Sequence, residues 1–350
     1  MLQERVEGKW LAAFRRVFAL NGIGKGTRVA ILSETQSRPV LIHLSELAAY
    51  DLGAEFCMIQ MPTPPQTAPV PVKSTGTSWA IMGNRAVIEA LKLCDIIVDC
   101  TVEGIIHAPE WPEIEAAGRT RLLVITNEHP EILERTEPRA ELGPKVQRGI
   151  EMLRAASTMR VTSAIGTDLS VDLRGAPCGG TAGFGTTPGS VAHWPGGLCL
   201  AFPGRQAVNG RIVMGVGDMN LTFKTCLTSQ IDLTVEDDFV TAIKGDGLDA
   251  LHLREYMAAW GDRNAYGMSH VGWGMNPAAH WVSAAMYDKR DMQAVEFRAL
   301  AGSFLWSTGA NQYAGRHTLG HFDLPMRNCT ITLDGTTVVK EGVLQGDLAP

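Results

Sequence analysis

Several things are missing from this 350-residue chain, and each absence removes a class of protein. Its seven cysteines (Cys57, Cys94, Cys100, Cys178, Cys199, Cys226 and Cys329) include no Cys-x-x-Cys pair, and their number is odd. That argues against a zinc ribbon or a disulfide framework and for reduced thiols. No run of about 18 apolar residues occurs, so no membrane-spanning helix is expected. There is no basic excess either: 31 Lys and Arg stand against 37 Asp and Glu, a net charge of −6. Without cationic surplus to neutralise phosphates, nucleic acid and anionic membrane are not expected partners. The charged start Met1-Leu-Gln-Glu-Arg-Val-Glu-Gly-Lys lacks the apolar core of a secretion signal, so the expected location is cytoplasmic. Finally, Asn21-Gly-Ile-Gly-Lys-Gly26 precedes the first strand and lacks the Lys-Ser/Thr of a phosphate loop, so it reads as a turn.

What is present divides into two textures. The opening segment reads as an amphipathic helix with Val6, Trp10, Phe14, Val17 and Phe18 on one stripe, stopped by Asn21-Gly22. Strands at 28–32, 54–61, 95–100 and 121–127 then alternate with helices at 39–52, 84–94 and 143–156, which predicts an α/β domain with a mostly parallel sheet over residues 1–160. Residues 175–217 are rich in Gly and Pro and contain no Asp or Glu. Beyond them, short strand-like runs at 198–202, 211–216, 230–235 and 239–244 are interrupted by helices at 248–260 and 293–301. Asn209-Gly210 and Asp334-Gly335 read as hairpin turns. Residues 161–350 are therefore expected to form a mixed α+β domain around an antiparallel sheet.

Chemistry concentrates in that second domain. In Gly320-His-Phe-Asp-Leu-Pro-Met-Arg-Asn-Cys329 the spacing His321-x-Asp323 puts both side chains on one face of a strand. An imidazole beside a carboxylate offers two corners of a metal site. His270, in Ser269-His-Val-Gly-Trp-Gly-Met-Asn-Pro277, is the best candidate for the third. Two His and one carboxylate are the facial triad of non-haem Fe(II) enzymes, which leaves positions open for O2 and substrate. Bland readings stand beside this one. Buried histidines are usually satisfied structurally, His107 and His193 can be loop or turn residues, and Arg298 can be a helix-surface residue. His317 and His280 read as exposed, and Asp246, Asp249 and Glu255 as the solvated face of a helix.

The segments around His270 and His321 resemble those of the 2,5-dihydroxypyridine 5,6-dioxygenases. So do Ile106-His-Ala-Pro-Glu110, Ala192-His-Trp-Pro-Gly196 and Phe297-Arg-Ala-Leu-Ala-Gly-Ser-Phe-Leu-Trp-Ser-Thr-Gly309. That family resembles in fold the aminopeptidase T metallopeptidases, where a glutamate stands in place of His270 and a two-metal centre hydrolyses peptides. The imidazole here favours a single Fe(II) and oxygen chemistry over a paired-metal hydrolase, which is the alternative function. The resemblance implies one Fe(II) per subunit on His270, His321 and Asp323, with O2 as co-substrate. It implies His107 and His193 as proton acceptor and donor, and Arg298 and Ser307 as partners of the ring's oxygen substituents. The implied reaction opens a small hydroxylated N-heteroaromatic ring, 2,5-dihydroxypyridine, to N-formylmaleamate, and the implied assembly is a homo-oligomer such as a hexamer. One departure stands out. Thr181, in Gly179-Gly-Thr-Ala-Gly-Phe-Gly185, occupies the place of a family glutamate that meets the ring-nitrogen region, and a neutral hydroxyl is a weaker partner than a carboxylate, which leaves room for a different ring.

Overall fold

The computed structural model describes residues 4–71 and 79–349. Three sheets account for most of it. Short β-branched and aliphatic runs form a five-stranded parallel sheet in the order Glu55–Met61, Arg28–Glu34, Ile96–Asp99, Arg121–Val124, Val191–His193. Its three inner strands are buried almost throughout, as expected of a parallel sheet covered on both faces. The helices Gly8–Leu20 and Pro39–Asp51 cover one face, while Arg85–Lys92 and Trp111–Ala116 cover the other.

The opening helix buries Trp10, Phe14, Val17 and Phe18 against this domain's own core, whereas Val6 lies before the helix and stays exposed. Its stripe therefore serves intramolecular packing.

Two large antiparallel sheets, with a two-stranded ribbon Met219–Asn220 and Thr225–Cys226 beside them, make up most of the rest, where the sequence predicts one sheet. An eight-stranded sheet runs from Phe239–Lys244 across to Val343–Leu344. The other has five strands in the order Arg316–Met326, Phe304–Asn311, Met268–Gly274, Leu198–Ala201, Cys178–Thr181. They share one apolar core. From the five-stranded sheet, Val271, Trp273, Trp306, Phe322 and Leu324 meet Met159, Val161, Leu169 and Ile212 of the larger sheet. Because side chains alternate, packing Phe322 and Leu324 into this core turns His321 and Asp323 to the opposite face.

Other expectations need correction. Asn209-Gly210 is no hairpin turn. Both residues lie inside the strand Val208–Met214, where Gly210 pairs with Leu169 and Val235. A Cβ on Gly210 would stand 2.3 Å from the Asp168 carbonyl oxygen, so close backbone approach explains the glycine. The expected helix at 293–301 shrinks to the single turn Glu296–Ala299. Asp334-Gly335 does close the hairpin between Thr330–Leu333 and Thr336–Lys340. The expected division at residue 160 falls inside the strand Thr158–Thr162, and the chain returns to the parallel sheet at Val191–His193. All seven cysteines are free thiols, and no helix among the described residues is long and apolar enough to cross a membrane.

Candidate active site

In open parallel sheets, ligands collect beyond the carboxyl ends of the strands. That edge supplies Glu103 and His107 after Ile96–Asp99, Thr126 after Arg121–Val124, and His193 at the end of Val191–His193. The antiparallel sheet presents His270, Asp323 and His321 to the same region. The His107 and His321 rings lie 4.9 Å apart, and His193 and Arg298 line one cavity.

Local strand irregularity aims the third imidazole. His321 and Asp323 lie two residues apart in regular pairing with Gly309 and Ser307 of the neighbouring strand. On the other side of that neighbour, the register slips between Met268 and Val271, placing His270 in a bulge. Bulges commonly redirect a side chain in this way. Ser307 fixes the bulge, its fully buried hydroxyl accepting the His270 backbone N–H at 3.2 Å.

The three side chains offer ligand atoms that all lie within 4.8 Å of one another. Nε2 of His270 stands 3.4 Å from Asp323 Oδ1, and Nε2 of His321 stands 3.5 Å from the same oxygen. That oxygen is buried and accepts no hydrogen bond among the described residues. The second carboxylate oxygen, Oδ2, accepts from Arg298 Nη1 at 3.2 Å. A buried carboxylate oxygen without a donor is costly, and a cation between it and two imidazoles removes that cost. The donor set therefore fits a metal ion.

Electrostatics agree. Burial alone would raise the Asp323 pKa, but His321, Arg298 and His270 outweigh it and hold the carboxyl well below its usual range. Burial lowers His270 to about 3, with Asp323 opposing the shift, so its imidazole is neutral and available as a ligand. His193 is lowered to about 3, by burial first and by Arg298 second. His107 opens part of its surface to the cleft, yet the surrounding protein, and next His321, push its pKa well below the ordinary value.

The remaining predicted residues divide. Arg298 reaches both Asp323 and the cavity. Thr181 is buried at the end of its strand, where its hydroxyl accepts the backbone N–H groups of Gly183 (3.0 Å) and His193 (3.3 Å). His317 points away on an exposed stretch, His280 is exposed, and Asp249 accepts from Thr228 and Ser229 at a helix start.

Sequence reasoning missed two acids. Glu103 lines the cavity with His193 and Arg298. Glu128, fully buried, accepts from the backbone N–H groups of His129 (3.2 Å), Gln293 (2.9 Å) and Val295 (3.1 Å). It thereby ties the parallel sheet to the segment carrying Arg298. Glu103 stands only four residues before His107, a proximity that was there to be read; nothing local marks Glu128.

A buried triad of two His and one carboxylate, set between a parallel α/β domain and an antiparallel sheet, is a donor set of the kind that metal-dependent enzymes use. Comparison with known proteins gives the family. Its profile, described as 2,5-dihydroxypyridine 5,6-dioxygenase, matches residues 9–346. The chain is 33% identical over 335 residues to a 2,5-dihydroxypyridine 5,6-dioxygenase of Pseudomonas putida, covering 94% of each sequence. A solved structure of 2,5-dihydroxypyridine dioxygenase from Pseudomonas putida KT2440 superposes with a TM-score of 0.91 at 32% identity, over 97% of this chain and 98% of that one. Wild-type AmpT from Thermus thermophilus superposes at 0.66 with 14% identity, over 97% and 99%, a likeness of fold alone. The chain belongs to the 2,5-dihydroxypyridine 5,6-dioxygenase family.

Proposed function

We propose that this protein is an Fe(II)-dependent dioxygenase that opens 2,5-dihydroxypyridine with O2 to give N-formylmaleamate, with His270, His321 and Asp323 holding the iron. The observation that carries the reading is the buried, donor-less Asp323 Oδ1 faced by two imidazole nitrogens. Iron, when bound, supplies electron exchange between O2 and an electron-rich ring. Both atoms of O2 enter the product, so the reaction balances without a further reductant.

The chain's own residues do the rest. His107, neutral at physiological pH and tilted against the His321 ring, accepts the proton of the ring hydroxyl. His193, across the cavity, receives that same proton by way of the substrate and returns it to a developing oxygen as the ring opens. Arg298 steadies the ionised ring oxygen while holding Asp323 Oδ2. Ile106, Val124, Trp194, Leu221 and Val295 form apolar walls that exclude water. Ser307 and Thr181 hold the backbones of His270 and His193 in place.

The peptidase alternative has less support. A paired-metal hydrolase places carboxylates between its ions, whereas Asp323 is the only acid of this constellation and no second group of ligands occurs among the described residues. Protein stripped of metal and reloaded anaerobically with Fe(II) should consume one O2 per 2,5-dihydroxypyridine, in step with loss of the ring's ultraviolet absorption. Bound iron with no uptake would sink the proposal.

A further inference from the structure

The backbone that carries His270 leaves its sheet just before the ligand. The strand Met268–Gly274 pairs Met268 with Thr308 and then Val271 with Trp306, so its partner is one residue short between them. On its other side, pairing with Leu198–Ala201 begins only at Val271. Continuing that register would set Ser269 opposite Pro203, whose nitrogen has no hydrogen to give. Buried backbone groups that lose ladder partners must find others. Side chains supply them here. Arg316 Nη2 donates to Met268 O, Ser307 Oγ accepts the His270 N–H at 3.2 Å, and Asn311 Nδ2 donates to Ser269 O at 3.0 Å.

Asn311 is 2% exposed and engages both ends of its amide twice over. Nδ2 also donates to Pro203 O at 2.9 Å. Oδ1 accepts the N–H groups of Tyr313 (3.1 Å) and Ala314 (3.2 Å), capping the turn Gln312–Ala314. Two carbonyls at one end and two N–H groups at the other leave a single orientation for the amide. The carbonyls belong to the neighbours of two rings in contact. Ser269 precedes His270, Pro203 follows Phe202, and the Phe202 and His270 rings meet edge to face with centroids 5.8 Å apart. One amide thus holds the backbone of His270 together with that of the ring packed against it. We infer that Asn311 is a positioning residue that aims the His270 imidazole at Asp323, acting through the backbone and not as a ligand. This inference rests on His270, His321 and Asp323 being the metal ligands. Metal–ligand distances tolerate only about 0.2 Å, so a loosened bulge weakens the site before it unfolds the chain.

Metal binding by the apoprotein tests this without recourse to turnover. Anaerobic titration with Co(II), whose visible absorption reports its ligands, compares wild type with Asn311→Ser, Asn311→Asp and Asn276→Ala. Asn311→Ser keeps an oxygen that can cap the turn but loses the double donor. Asn311→Asp keeps the shape and turns an oxygen toward the two carbonyls. Both should weaken Co(II) binding by roughly 10-fold or more and change its absorption band. Asn276 is also buried, and its Nδ2 donates to Gly196 O at 2.8 Å, away from the bulge. Asn276→Ala should therefore lower the melting temperature and leave Co(II) affinity unchanged. Asn311 variants that lose melting temperature yet bind Co(II) as wild type does overturn the inference, as does an Asn276→Ala variant that loses as much affinity as they do. The isosteric Asn311→Asp decides the matter if Asn311→Ser does not fold. Wild type that takes up no Co(II), or a His270→Ala variant that binds it as tightly as wild type, overturns the ligand reading instead, and Asn311's role with it.

Discussion

Arg298 and Asp323 share one hydrogen bond, Nη1 to Oδ2 at 3.2 Å, and it sets which face of the carboxylate remains for a metal. With Oδ2 engaged, Oδ1 is turned to His270 and His321. Partners of this kind orient ligands, and their loss typically costs 10- to 100-fold in metal affinity. Arg298→Lys replaces a planar fork by a point charge on a flexible stem. Fe(II) titration of the apoprotein should show affinity weakened by roughly 10-fold or more, together with a raised KM. Unchanged affinity would detach Arg298 from the metal site.

The ligands themselves should behave more sharply. His321→Ala and Asp323→Asn should each abolish stoichiometric iron and lower kcat by at least about 10²-fold, since loss of even an outer partner approaches that figure. Elemental analysis after anaerobic reloading checks the first expectation and O2 uptake the second. A His321→Ala protein with full iron and full activity would disprove the ligand set.

Glu128 offers a test of communication between the domains. It grips the N–H groups on either side of Ala294, which has a φ of 65°. Glutamine has one acceptor oxygen, so in Glu128→Gln one of these buried donors is left facing an amide NH2. The expected cost is about 1–3 kcal/mol of stability. Because this segment carries Arg298, kcat/KM should fall roughly 10-fold with iron content preserved. A stability loss without the kinetic change would make Glu128 structural only.

Acid should weaken the metal-free fold through its buried imidazoles. His193 and His270 have pKa values lowered to about 3 from an ordinary 6.5. Between those limits the unfolded chain binds protons that the folded chain refuses. Stability contributed by these groups is therefore complete above the unfolded value and lost as pH falls toward the folded one. Asp218, raised to about 6 by burial, works in the opposite sense, because the folded state takes its proton first. Melting temperatures of apoprotein should fall from pH 7 to pH 4, and the slope should be shallower in His193→Asn. Equal slopes would show that His193 is not buried in its neutral form.

The alternation of buried strands with amphipathic helices in the first 155 residues was legible because each element writes its own period into the chain. The opening helix shows it in Trp10, Phe14 and Val17, and Ile96–Asp99 in its unbroken burial. His321 and Asp323 were legible for the same reason, being two residues apart on one strand. Asn209-Gly210 misled because a glycine needed for close backbone approach looks the same as one needed for a turn. Gln293 misled too: apolar neighbours at helical spacing were instead gathered into a pinned loop by Glu128 and by Lys224, whose Nζ donates to Met292 O at 2.6 Å.

By itself, then, the sequence determined the two textures of the chain, the face shared by His321 and Asp323, and the family. Only the tertiary structure decided that a bulge swings His270 to that face, that Glu103 enters the cavity, and that the hydroxyls of Thr181 and Ser307 hold backbone. Those relations join residues tens to hundreds of positions apart, and local periodicity carries no record of contacts made only when sheets pack.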